Sequence, residues 1–264
     1  EGSTLAYNDE NNNFKPLPFT TTRNSIATRV NKEGLIEVVG NDVPRIDYTD
    51  SAEGVLLLEN SSTNLITYSE DFSNSIWSET GASVVSGFIS PDGGLNAYKL
   101  VEDTSTLRHS TNTLNSVVGE HTFSVFAKKG EKDILQLSLG GATITPASSY
   151  SNFDLTNGII TAGINTSSNI EEFANGWYRC SITASVVSGI LNSGCVIANS
   201  KTMGRNGTYQ GDGTSGVYIY GAMLEQNSVA SSYIPTSGST VTRQAETASG
   251  AGNSEVFNDS EGVL

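Results

Sequence analysis

Apolar and polar residues alternate with a period of two through much of the chain between Asn64 and Arg243. Thr122-Phe123-Ser124-Val125-Phe126-Ala127 is one such run, and Lys128-Lys129-Gly130-Glu131 then turns the chain. Leu135, Leu137 and Leu139 fall on one face, with Gln136 and Ser138 on the other. Tyr178, Cys180, Ile182 and Ala184 alternate against Arg179, Ser181 and Thr183. Val217, Ile219 and Gly221 share a face opposite Tyr218 and Tyr220. Neighbouring side chains on a strand point to opposite faces, so each run predicts a strand with one dry and one wet face. Turn residues such as Asn157-Gly158 and Asn175-Gly176 separate the runs. The pattern predicts an all-β fold of two packed antiparallel sheets. No window sustains an apolar period of 3.6, so helices are expected to be few and short.

The flanks read differently. Residues 1–18 are polar and carry Pro16 and Pro18, which predicts an extended arm or linker. Over 19–60, β-prone stretches such as Ser25-Ile26-Ala27-Thr28-Arg29-Val30 and Leu35-Ile36-Glu37-Val38-Val39 are joined by turns at Asn31-Lys32-Glu33-Gly34 and Gly40-Asn41-Asp42. About 40 residues rarely bury enough apolar surface to fold alone. This region is therefore expected to pack on the sandwich of 61–243 or on copies of itself. Residues 244–264, with Ser249-Gly250-Ala251-Gly252-Asn253, read as a linker followed by the opening of a further module that stops mid-pattern. Position 1 is Glu and no charged-then-apolar leader follows it, so a fragment of a longer chain is expected.

Charge narrows the partners. The 264 residues hold 14 Lys plus Arg against 28 Asp plus Glu, a formal net charge of −14. Such a surface repels phosphate backbones and anionic headgroups, so neither nucleic acid nor a membrane surface is an expected partner. No apolar run approaches the roughly 20 residues needed to span a bilayer as a helix. Cys180 and Cys195 are the only cysteines, too few for a disulfide framework, and read as buried small side chains.

Catalytic signals are sparse. His109 and His121 lie in separate polar segments, and neither H-E-x-x-H nor G-x-S-x-G occurs. Glu70-Asp71 and Glu102-Asp103 are adjacent carboxylates, which a strand would point to opposite faces. Gly211-Asp212-Gly213-Thr214-Ser215-Gly216 satisfies G-x-G-x-x-G, but β-prone Val217-Tyr218-Ile219-Tyr220 follows where a dinucleotide site needs a helix. A loop between strands is the expectation there. No enzyme activity and no cofactor are expected.

Aromatic and amide-rich surface remains. Sugars offer C–H faces that stack on rings and hydroxyls that pair with amides and carboxylates. Tyr218 and Tyr220 form the first candidate glycan platform, although either they or Val217 and Ile219 are free to be the exposed pair. Tyr98, Tyr209 and Asp212 are further candidates, while Trp77 and Trp177 read as core.

A resemblance sharpens this reading. Phe19-Thr20-Thr21-Thr22-Arg23, Ala27-Thr28-Arg29-Val30-Asn31-Lys32-Glu33-Gly34, Pro44-Arg45-Ile46-Asp47-Tyr48 and Thr63-Asn64-Leu65-Ile66-Thr67-Tyr68-Ser69-Glu70-Asp71-Phe72 form a block that resembles tailed-bacteriophage fibre and spike proteins. Phe126-Ala127-Lys128-Lys129-Gly130, Asn175-Gly176-Trp177-Tyr178-Arg179-Cys180, the segment 216–225 and Ser232-Tyr233-Ile234-Pro235-Thr236 fit the same group. The central part is also similar to the jelly-roll of family 4 and 9 carbohydrate-binding modules, through Asn64-Leu65, Phe72, Trp77, Phe123-Ser124-Val125-Phe126, Lys128 and Trp177. Those modules hold a structural calcium with a Glu after the Phe and an Asp on the last strand. Ser73 and Tyr220-Gly221 stand near those places here, so a calcium would need other oxygen ligands.

The resemblance implies a non-catalytic, jelly-roll fibre module on a virion surface, assembled in the host cytoplasm as a homotrimer beside other virion proteins. It implies host-surface polysaccharide as a ligand. Two alternatives stay open: a purely structural or decorating module, and a carbohydrate-binding module of a secreted polysaccharide-degrading enzyme.

Overall fold

Each of the four alternating runs is a strand in the computed structural model, which describes residues 20–249 and the backbone of an antiparallel strand pair, Ala6–Asn8 with Phe14–Pro16. That pair lies where an extended arm was expected, and the strand read at the end of the chain falls outside the described residues. The sandwich has two antiparallel sheets. One runs in the order Ala82–Phe88, Ala97–Glu102, Gly216–Glu225, Gly119–Lys129, Trp177–Ser188, with Thr143–Thr145 and Ser167–Phe173 pairing in tandem along the last strand. The other runs Ile159–Ile164, Tyr150–Asp154, Ile134–Gly140, Ile190–Ala198, His109–Ser116, Ser78–Thr80. Among the described residues, the 3-10 turn Ala174–Gly176 is the one helical element.

The core between the sheets is built from the predicted dry faces. Phe123, Val125, Leu135, Leu137, Leu139, Cys180, Ile182, Val217 and Ile219 are all fully buried there, joined by Phe72 and Trp77. The expected partner Gly221 departs from that face. It takes a left-handed φ of 59°, and the ladder slips a residue between Ser124 and Phe126. This bulge reverses the alternation, so that Ala222 and Leu224 turn inward and Met223 outward.

The expected wet faces are largely dry. On the seven-stranded sheet, Phe126, Trp177, Tyr220 and Met223 form a second cluster with Ile36, Tyr233 and Ile234. On the six-stranded sheet, Ile134, Val196 and Ala198 pack under Met203. Buried amides hold that cover down: Gln136 Nε2 donates to the Gly204 carbonyl at 3.1 Å, and Asn152 Nδ2 to the Met203 carbonyl at 2.7 Å.

Residues 20–60 fold as two hairpins, Ala27–Val30 with Ile36–Val39 and Arg45–Asp47 with Val55–Leu57, laid on the seven-stranded sheet. A buried ion network fastens them. Arg45 is fully buried and pairs with Glu59 at 2.8 Å and with Glu246, while Glu246 also takes Arg23 at 2.5 Å and Glu59 takes Arg243 at 3.3 Å. Pairing of this kind offsets much of the cost of taking these charges out of water. Residues 244–249 are therefore no linker. Glu246 anchors them, and Thr247–Ser249 pairs with Thr20–Thr22.

Candidate functional site

The five residues singled out from sequence do not converge on one surface. Tyr220 is 2% exposed, so it is no stacking platform. Its hydroxyl lies 2.9 Å from both Glu70 Oε1 and Asp92 Oδ2, and Glu70 Oε1 also accepts from the Tyr233 hydroxyl at 3.1 Å. Burial, reinforced by Tyr233 and the two carboxylates, pushes the Tyr220 phenol far above its ordinary range. Tyr218, two residues earlier on the same outer face, is half-buried against Phe88 at 4.9 Å between centroids. The structure thus divides the predicted pair: one member is core and the other is half-buried against the same outer cluster.

Tyr98 belongs to the opposite face. Its ring packs edge-on to Phe72, and its hydroxyl donates to Asp71 Oδ1 at 3.0 Å. Tyr209 and Asp212 do meet, through Glu102: the Tyr209 hydroxyl reaches Glu102 Oε2 at 2.5 Å and the Asp212 amide reaches Oε1 at 2.9 Å. The Asp212 carboxylate is consumed by the amides and hydroxyls of Thr214 and Ser215, which hold it far below the ordinary carboxylate range. This is a loop staple, and the strand Gly216–Glu225 follows it directly, as expected for a connection between strands. Trp77 and Trp177 are core.

The residues at the expected calcium position do not fit a cation held as in the jelly-roll modules. Ser73 turns its hydroxyl onto Asp71 at 2.6 Å, and the Tyr220 phenol fills the space between Glu70 and Asp92. Among the described residues, no group of three or more His, Cys, Asp or Glu is gathered to hold a metal.

A site that sequence reasoning missed lies in the seam between the N-terminal hairpins and the seven-stranded sheet. A cavity of about 200 Å³ opens there. It is lined by Phe126, Phe173, Arg179 and Glu171 of the sheet, by Asp47, Asp50 and Leu57 of the hairpin region, and by residues 230–233. Arg179 is 6% exposed and makes no ion pair among the described residues. Its terminal nitrogens donate to the Ser231 carbonyl and, at 3.1 Å, to Ser124 Oγ, and it sits 5.4 Å over the Phe126 ring. Its Nε is buried with no partner.

Glu171 faces Arg179 across the ladder yet does not reach it within 4.0 Å. Burial pushes the Glu171 carboxyl above its ordinary range; Arg179 draws it down, and Asp50 and Asp47 raise it again. Asp47 is already spoken for, accepting from the amides of Val30 at 2.8 Å and Thr49 at 2.9 Å. The cavity thus holds a buried guanidinium and a half-buried carboxyl that do not bond each other, beside two phenylalanine rings. A group carrying both a lone pair and a hydroxyl proton completes both partners at once.

No protein-family model and no curated protein matches the sequence. Ten solved chains are similar, among them these three. One is the enzymatically active domain of tailspike protein 4 of bacteriophage CBA120, at 12% identity and a TM-score of 0.35, over 61% of this chain and 21% of that one. Another is the CBM22-1–GH10 part of Clostridium thermocellum endo-1,4-β-D-xylanase 10B, at 12% identity and 0.36, over 67% and 30%. The third is a carbohydrate-binding module of the β-sandwich superfamily, at 10% identity and 0.34, over 72% and 77%. The chain spans less than a third of the first two. The sandwich assignment rests on the strand pairing itself.

Proposed function

We propose that the protein is a non-catalytic glycan-binding module of a bacteriophage fibre, and that the seam cavity holds one sugar unit. The observation that carries this reading is the Arg179–Glu171 pair, a buried cation and a half-buried carboxylate that form no ion pair with each other, lining one cavity with Phe126 and Phe173. Vicinal hydroxyls of a neutral sugar donate to the carboxylate and accept from the guanidinium, while the C–H face packs on the rings. The mixed charge of the lining disfavours both a simple anion and a simple cation.

The non-catalytic part is supported by the two histidines. Both are buried, and both spend ring nitrogens on backbone carbonyls: His109 on Gly81 and Tyr209, His121 on Gly119. The virion location and the homotrimer rest on the fibre-like sequence block. Val38, Val43, Val55 and Leu58, each more than 40% exposed on the N-terminal hairpins, provide apolar surface for further copies to cover.

Affinity electrophoresis of the folded protein in gels containing host polysaccharide tests the reading. Retardation by at least one polysaccharide is expected. Glu171→Ala is expected to weaken it tenfold or more without shifting the melting temperature. Failure of every polysaccharide to retard a folded sample would refute it and leave a purely structural module. Light scattering reports the trimer separately.

A further inference from the structure

We infer that a second cavity, at the turn after the strand Ile134–Gly140, is a binding site for an oxyanion group such as the carboxylate of an acidic sugar or a phosphate. It shares no residue with the seam cavity, encloses about 240 Å³, and is lined by Arg205 and by residues of the segment 140–148, among them Gly140, Gly141 and Ser148. No acidic residue lines it, in a chain whose net charge is −14. Its one charged group is Arg205.

The guanidinium of Arg205 is set with its bonding capacity largely unused. One terminal nitrogen donates to the Leu139 carbonyl at 2.9 Å. Nε is buried and has no partner, and Arg205 makes no ion pair among the described residues. Burial and the nearby Arg108 both lower its proton affinity, the signature of a cation short of negative charge. The half-buried guanidinium keeps terminal N–H groups with no protein partner among the described residues, and a bound oxyanion takes these in charge-assisted hydrogen bonds.

The backbone is shaped around this group. A Cβ at Gly140 would come within 2.0 Å of an Arg205 terminal nitrogen and 3.0 Å of its Cζ, so a side chain there would push the guanidinium out of its present place against the strand end. Gly141 and Ser148, both in the cavity lining, take left-handed φ values of 78° and 60°. Guanidinium matches carboxylate and phosphate geometry bidentately, whereas a neutral sugar hydroxyl offers it a single weaker acceptor. The seam cavity shares no residue with this one and carries charges of both signs, so this inference stands whether or not the seam binds sugar.

Isothermal titration or 15N chemical-shift mapping with three probes tests it: sodium glucuronate, its neutral methyl ester, and inorganic phosphate. Saturable binding of glucuronate, phosphate or both, with shifts confined to residues 139–149 and 205 and no response to the ester, is expected; which oxyanion binds distinguishes the two sources. Arg205→Gln should weaken that binding at least tenfold. Because Arg205 also ties down Leu139, a second variant guards against misfolding. Ser148→Asp sits at a φ that Asp tolerates and supplies a carboxylate from within, so it should abolish binding with the melting temperature unchanged or raised. Equal response to the ester and the acid, undiminished binding by Arg205→Gln, or no response to either oxyanion overturns the assignment.

Discussion

Arg45→Ala is the most informative single change to the fold. The parent side chain is fully buried and serves Glu59, Glu246, the Thr28 carbonyl at 2.9 Å and Ser232 Oγ at 2.7 Å. Deleting one partner of a buried ion pair costs about 3–5 kcal/mol, because the surviving charge stays out of water. Both surviving carboxylates keep a second arginine, Glu246 with Arg23 and Glu59 with Arg243, which places the expectation near the lower bound, about 3 kcal/mol. For a cooperative unit of this size that is a fall of roughly 6–12 °C in melting temperature.

Calorimetry together with limited proteolysis reads the result. Early cleavage within 20–60 would locate the loss at the hairpins. Acid adds a signature. Burial by itself would raise the Glu59 and Glu246 carboxyls, but Arg243 and Ser232 for the first, and Arg45 and Arg23 for the second, hold both below their ordinary value of 4.5. The unfolded chain therefore takes up more protons as pH drops below about 4.5. The stabilisation is complete above that pH and is lost as pH falls through the depressed values. Arg45→Ala should flatten this acid limb. A melting temperature unchanged by the substitution, or an acid limb as steep as the parent's, would show that the network does not fasten the hairpins.

Tyr220→Ala should cost about 3–5 kcal/mol by chemical denaturation, as for other large buried rings, and Tyr220→Phe about 1–3, since it strips Glu70 and Asp92 of a shared donor. Tyr218→Ala, at a half-buried position, should cost clearly less than Tyr220→Ala; equal losses would contradict the division of the pair. Cys180 and Cys195 are free, wholly buried and held above the ordinary thiol range by burial. Ellman's reagent should find neither thiol in the native protein and both after denaturation, and rapid native labelling would place at least one of them at the surface.

The parts of the fold legible in the sequence are those decided by neighbours along the strand. Leu135, Leu137 and Leu139 point inward because alternation and hydrophobicity agree, and the same holds for Cys180 and Ile182. Alternation says which residues share a face; it does not say what covers that face. Tyr220 is buried because Tyr233 and the hairpins come from distant segments to lie on it, and Gln136 is buried because residues 203–206 fold over the sheet. The Arg45–Glu246 contact joins residues 201 apart, and no local pattern announces it. The reversal at Gly221 was hidden for a different reason: a bulge breaks the period of two that the reading depends on. Arg179 carried a faint signal, a cation in mid-strand among Tyr178, Cys180 and Ser181, but its missing partner is visible only in three dimensions.

The ladder between Thr20–Thr22 and Thr247–Ser249 has a mechanical consequence. The register places Thr20 opposite Ser249, so the two points where the chain enters and leaves the described body are side by side. Tension applied there peels the ladder one rung at a time instead of shearing it. The load next meets the charged clasp around Glu246, and reaches the sandwich only when both have given way. Force on the ends is thus absorbed in stages, with the cavities downstream of the weakest link.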